Sequence, residues 1–517
     1  MSELTNRSVG SPAAAGPDAA FVWTRRHVLA LSVLCLAALL DTIDVTVVNI
    51  AMPSIRTALH FSESGLAWMV NAYMVPFGGF LLLGGRIGDL VGRRRALLAG
   101  TAAFAAASLG SAFAPSAGVM IVTRAAEGLA AAFVVPMTLA MLSSVFPAGP
   151  ARNRAFAVWG GVSAGGATLG LIIAGALVTA VGWRWVFLIN VPVGAVIVAS
   201  ALWVLPSDGP VTGAARRAVG ATPGAGQPVR PRRGFDLGGA VSVTAAASLL
   251  AYAVAQTSSH SWGAPLTIVL LAAAAALTGF FIVHERFVAA DPLMPLSLCR
   301  NRSVTGANTV SVLLASATFV VFYSTTLYMQ QVLHYSALRT GLAYVPLGLS
   351  ILVAAAIAPA VIALAGIRLT SIAGSLVLFA GLALLARVPA SGQLLTDIIV
   401  PTVILGLGAG VVIIATSIAA LSGVAADRQG VASAMLNVSR QLGGALGLAA
   451  LSTVITDTTA RSAAAGHAVP LALTAGFRTG FAVSAALSVV AAITAAALLR
   501  EDGRGQRIKM IALQAGD

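Results

Sequence analysis

Lysine is almost missing from this chain of 517 residues: Lys509 is the sole one. Without a second lysine there is no G-x-x-x-x-G-K-[ST] phosphate loop, so energy for work comes from an ion gradient or from a partner protein. Charge of either sign is scarce, at 9% of residues against about 25% in a soluble globular domain. Two cysteines, Cys35 in an apolar run and Cys299 in a basic loop, exclude a disulfide framework. The six histidines (His27, His60, His260, His284, His334 and His467) all fall in loops or at the ends of apolar runs. They form no metal-ligand cluster, and no metal or cofactor is expected. Gly161-Val-Ser-Ala-Gly165 matches G-x-S-x-G formally. A nucleophile elbow needs a strand-to-helix turn and a histidine base, and this match lies in mid-helix without either, so an enzyme is not expected. Acidic residues are few as well, 17 against 31 Lys and Arg, for a net charge of +14. The arginines are scattered through short loops, which excludes a nucleic-acid-binding face.

Apolar runs dominate what is there: 58% of residues are hydrophobic and the mean hydropathy is +0.92. The chain reads as an all-α integral membrane protein, with the lipid bilayer as its surroundings. A crossing takes about 20 apolar residues, and fourteen such spans are expected. They cover 28–51, 66–86, 95–114, 118–143, 155–180, 184–205, 236–256, 265–284, 304–329, 341–364, 368–388, 397–421, 430–455 and 478–499. With the N-terminus in the cytoplasm, 22 of the 31 Lys and Arg residues fall on cytoplasmic segments and six outside, so both termini are expected inside. The apolar run that follows Arg25 and Arg26 is too long for a cleaved signal peptide. Residues 207–234, rich in Pro, Gly and Arg, read as a solvated linker between two halves.

Five motifs in order resemble the major facilitator superfamily, in particular its 14-span drug:proton antiporter branch. They are DVTVVNIAMP (44–53), GRIGDLVGRRR (85–95), RAAEGLAAA (124–132), WRWVFLINVPVG (183–194) and LNVSRQLGGALG (436–447). The resemblance covers about residues 28–500. It implies the major facilitator fold: a cytoplasmic tail (1–27), a six-helix bundle (28–205), a linker (206–235), an inserted two-helix hairpin (236–286), a second six-helix bundle (304–499) and a cytoplasmic tail (500–517). It also implies a monomer of a bacterial inner (plasma) membrane that exports amphipathic drugs or antibiotics against protons by alternating access. Uptake by proton symport and a non-transporting sensor on the same fold are the alternatives. Two positions depart from the branch. Leu171 stands for the proline of the span-5 antiporter motif, with Ala174 for its first glycine, and Glu127 stands for a glutamine.

The membrane-level charges are the candidate site. Asp41 and Asp44 lie roughly 20 and 24 Å above the inner edge of span 1 at 1.5 Å rise per residue. Arg124 and Glu127 sit in the outer half of span 4. Each pair is spaced i, i+3 and shares a helix face. Such carboxylates fit proton coupling and a cationic amphiphile as substrate, while a static link between the two helices is the plainer reading. Asn437 and Arg440 share a face of span 13 and fit either a cavity lining or a structural pair. On the loop after span 2, Gly85, Asp89, Gly92, Arg93 and Arg94 match a gating motif. Its family role is a latch on the other half, and its glycines also suit close helix approach. Gly161, Gly165, Gly170, Gly443 and Gly447 read as small-xxx-small packing surfaces, with a sliding contact between halves as their functional reading.

Overall fold

The computed structural model describes residues 23–147, 150–206, 236–256, 263–289, 298–424 and 429–499, and these contain helices and no strand. Most of the linker and of both tails named above lies outside the described residues. The first helix, α1 (Arg25–Leu59), opens on a capping box in which the Thr24 hydroxyl accepts from the His27 amide, and it ends at His60 in the left-handed region. Ser62 and Ser116 cap α2 (Glu63–Val91) and α4 (Ala117–Val145) in the same way. Between them, α3 (Arg93–Ala112) follows α2 after the single residue Gly92, whose φ of 110° gives the sharp reversal that a side chain resists. Then come α5 (Pro150–Ala180), the short α6 (Trp185–Leu188) and α7 (Asn190–Val204).

After the linker, α8 (Leu237–Gln256) and α9 (Pro265–Val283) form a hairpin. Six further helices complete the chain: α10 (Arg302–Leu327), α11 (Ala337–Ala343), α12 (Val345–Leu385), α13 (Val400–Leu421), α14 (Gln429–Ala464) and α15 (Val469–Leu498). Helix α12 is broken at Gly366, where φ is 82°, so the two spans expected at 341–364 and 368–388 meet at a kink. Ten helices among the described residues are long and apolar enough to cross a membrane. The expected count is higher because α3 is mostly Ala, Ser and Gly behind three arginines, the apolar parts of α2 and α8 are short, and the two segments of α12 on either side of its kink count as one apolar stretch.

Packing divides the helices into two groups. Helix α1 packs on α4, α5 and α7, and α4 on α2 and α3; α10 packs on α13, α14 and α15, and α12 on α13 and α15. The groups meet along α2 with α14 and along α5 with α11 and α12, while α8 touches both α2 and α14. One continuous buried apolar core runs through both. That arrangement brings the middles of α1 and α4 face to face.

Candidate functional site

Arg124 on α4 is the centre of the buried polar interior. It is 1% exposed, and Asp44 and Glu127 are 0% exposed. Its Nη1 donates to Asp44 Oδ2 at 2.5 Å and also to Glu127 Oε2, one turn along the same helix. Nε donates to the Met69 carbonyl of α2 at 3.4 Å. The Tyr73 ring lies over the guanidinium, 4.6 Å from its carbon, which adds a cation–π contact in a buried site.

Each carboxylate has a second donor. Asn190, the first residue of α7, donates from Nδ2 to Asp44 Oδ1 at 2.8 Å and to Ser108 Oγ at 2.9 Å. Ser111 at the end of α3 donates to Glu127 Oε1 at 2.9 Å. Helices α1, α2, α3, α4 and α7 all supply a group to this site. Gly128 makes the approach of α2 possible, because a Cβ there would stand 2.1 Å from the Tyr73 carbonyl oxygen. Buried charges of this kind persist only when paired and hydrogen-bonded, and here every charged oxygen has a partner.

Asp41 belongs to the edge of the cluster. It is half-buried, and Tyr73 donates its hydroxyl to Asp41 Oδ1 at 2.5 Å. The same tyrosine therefore stacks on Arg124 and holds Asp41, linking the half-buried acid to the buried pair.

Asn437 and Arg440 are not brought to this cluster. Arg440 instead donates from Nη2 to the Ile413 carbonyl at 3.1 Å and to Ser417 Oγ at 2.9 Å, both on α13. At the start of α3, Arg93 donates to the Ala140 carbonyl at 3.2 Å. Arg94 donates to the Ala201 carbonyl at 3.3 Å and to that of Leu202, in the last turn of α7. These bonds stay within the first group of helices, where cations suit carbonyl ends. The side chain of Asp89 lies outside the described residues.

The glycines differ from one another. A Cβ on Gly443 or Gly447 would meet the α10 backbone at Val312 or Ser316, at 2.6 or 2.4 Å, and one on Gly170 would meet Thr46 of α1. Those contacts lie inside one helix group, so they do not form the expected sliding surface between halves. A Cβ on Gly161 or Gly165 would meet nothing within 4 Å, so neither position needs a glycine for close helix approach. In the loop motif the close approach belongs to Gly88, against Met137, and not to Gly85; Gly84, just before the motif, is close to Ala132.

Sequence reasoning missed Asn190, Ser108, Ser111 and Tyr73. Asn190 lay inside a quoted motif, and a polar amide in the apolar run FLINVPVG was the available signal. Tyr73 and the two serines gave none.

Comparison with known proteins follows the same chain. The family described as Major Facilitator Superfamily matches residues 34–448. The puromycin resistance protein pur8 of Streptomyces alboniger is 36% identical over 484 residues, 93% of this chain and 91% of the relative. The cephamycin export protein CmcT of Amycolatopsis lactamdurans is 35% identical over 84% of this chain and 86% of its own. Among solved structures, the crystal structure of the POT family transporter PepTSo superposes with a TM-score of 0.64 at 15% identity, covering 95% of this chain and 99% of that one. That likeness speaks to the fold alone.

Proposed function

Because the chain belongs to the major facilitator superfamily, we propose that it exports amphipathic drugs or antibiotics from the cytoplasm in exchange for protons. Relatives named for puromycin resistance and cephamycin export support the direction and the substrate class. In this reading there are fourteen crossings, the ten long apolar helices together with α2, α3, α8 and the part of α12 beyond Gly366. Residues 28–205 and 304–499 are two bundles that rock about the substrate, 236–286 is an inserted hairpin, and both termini are cytoplasmic.

One observation carries the coupling: a single guanidinium lies between two fully buried carboxylates. With both acids ionised, Arg124, Asp44 and Glu127 together hold one negative charge in excess, and one proton makes them neutral. The excess charge is costly in a dry site. The cluster therefore has two charge states that differ by one proton, which is what an ion-coupled transporter needs to link to its two conformations. Asp44 carries the proton, with Glu127 sharing it through Arg124. Asp41, half-buried at the edge, meets the cationic end of a substrate, and Tyr73 passes that change to the cluster.

With the termini inside, the bonds from Gln330 to the Ile50 carbonyl (3.1 Å) and from the Leu338 amide to Thr179 Oγ1 (3.3 Å) lie towards the outer face. They join the two helix groups there, as in a state closed to the exterior.

The test uses purified protein in liposomes with an imposed proton gradient and an internal pH dye. Cationic and neutral amphiphiles are added to wild type and to Asp44→Asn. Substrate-dependent proton movement in wild type and its loss in a folded Asp44→Asn are expected. Equal proton movement in both would remove Asp44 from the coupling, and none with any compound would defeat proton exchange.

A further inference from the structure

Apart from the cluster around Arg124, the described residues hold a further charge deep in a long helix, Arg440. Arg440 lies about 17 Å along α14 from Gln429 at 1.5 Å per residue. It shares a face with Gly444, four residues on. A Cβ on Gly444 would meet Met74 of α2 at 2.5 Å and Phe319 of α10 at 2.8 Å. That face of α14 thus looks towards the other helix group and the interior, not towards lipid.

From there the guanidinium reaches across to α13, where Nη2 donates to the Ile413 carbonyl, Ser417 Oγ and, at 3.4 Å, Thr416 Oγ1. All three acceptors are neutral. Among the described residues no carboxylate comes within 4.0 Å of Arg440. Its Nε is buried and donates to nothing. The contrast with Arg124, held between two acids in the same protein, is complete. An arginine at membrane depth is costly and pairs with an opposite charge or with backbone carbonyls; Arg440 has the second kind of partner and no counter-charge among the described residues.

We propose that Arg440 is an anion-recognising site, whose guanidinium receives the carboxylate or another compact anionic group of a transported amphiphile. This rests on the export reading above and names a substrate class for it. Nη2 is tied to α13 while the Nε hydrogen beside it has no acceptor, so the group is oriented before a ligand arrives and little freedom is lost on binding. The two helix groups then present opposite poles to the interior: Asp41 on α1 and Arg440 on α14. A zwitterionic substrate engages both, and an acid engages Arg440.

Binding is measured on the full-length protein in phosphatidylcholine nanodiscs by tryptophan fluorescence. The probes are matched acids and methyl esters of fusidate, cefalotin and benzylpenicillin, so that each pair differs in one negative charge and one methyl group. At least one acid is expected to bind wild type about tenfold or more tightly than its ester, the range of a charge-assisted hydrogen bond. Arg440→Gln is expected to bind acid and ester alike with the ester affinity unchanged, while Arg440→Lys keeps part of the preference. Should Arg440→Gln fail to fold, Ser417→Ala, which loosens the guanidinium from α13, is expected to weaken the acid by about threefold and spare the ester.

No preferred acid in wild type, or a preference that survives in Arg440→Gln, overturns the proposal. Repeating the measurement with phosphatidylglycerol in the nanodisc separates a substrate from a lipid headgroup. Retained preference supports the substrate, and its loss through competition assigns the site to lipid and overturns the proposal. Proton movement driven by tetraphenylphosphonium in Arg440→Gln is read alongside. It reports on the Asp44 cluster, so failure at Arg440 and failure of proton exchange are told apart.

Discussion

Replacing Arg124 by methionine removes the cation shared by two acids, and the structure gives the size of the effect. Asp44 and Glu127 are 0% exposed, and each bonds the guanidinium. Deleting one partner of a buried ion pair costs about 3–5 kcal/mol because it leaves an uncompensated charge. Here one deletion orphans two carboxylates. Asn190 and Ser111 still donate to them, and protonation relieves the rest, so the loss is expected inside that range and not at twice it. Adding Asp44→Asn and Glu127→Gln to Arg124→Met removes every charge at similar volume. Neutral replacements of whole buried ion networks are often no less stable than the original, so the triple variant is expected to regain most of the stability while transporting nothing. Reversible denaturation of the purified proteins in SDS at neutral pH measures each difference, with a coupling of at least about 2 kcal/mol expected. If the single losses instead add to the triple loss within about 0.5 kcal/mol, the three residues act independently and the shared-proton argument falls with them.

Two smaller perturbations test the supports of the cluster. Gly128→Ala places a Cβ 2.1 Å from the Tyr73 carbonyl, so α4 must retreat from α2. A loss of about 1–3 kcal/mol, typical of overpacking, is expected in thermal unfolding, and an unchanged transition would mean that the helices do not meet there. Tyr73→Phe keeps the ring over Arg124 and deletes the hydroxyl that bonds Asp41. Its stability cost is about 1 kcal/mol. Because that hydroxyl links Asp41 to the cluster, proton movement driven by cationic amphiphiles is expected to fall, and wild-type proton movement in Tyr73→Phe would take Tyr73 out of the coupling.

Some of the site was readable from the chain because lipid makes charge conspicuous. Asp41, Asp44, Arg124, Glu127 and Arg440 each interrupt an apolar run, and an interruption that costs several kcal/mol announces itself. The i, i+3 spacing likewise put each of the first two pairs on one helix face. The supporting residues carried no such mark. Ser108 and Ser111 are ordinary in a helix of Ala, Gly and Ser, since a serine there can satisfy itself on its own backbone. The glycines make the same point from packing. Gly161 with Gly165 and Gly443 with Gly447 have identical spacing, yet a Cβ on either of the second pair would meet a neighbouring helix and one on the first would meet nothing within 4 Å.

Composition and periodicity alone determined that the chain is helical and lives in a bilayer, because each crossing must satisfy its backbone internally and its side chains must match hydrocarbon. Its five ordered motifs pointed to the superfamily. Only the tertiary structure decided that Arg124 takes both Asp44 and Glu127, that Asn190 completes the set, and that Arg440 stands apart with neutral acceptors. Spacing along a helix fixes which residues share a face, but which helix meets that face depends on the packing of the whole bundle, and no local stretch of sequence contains it.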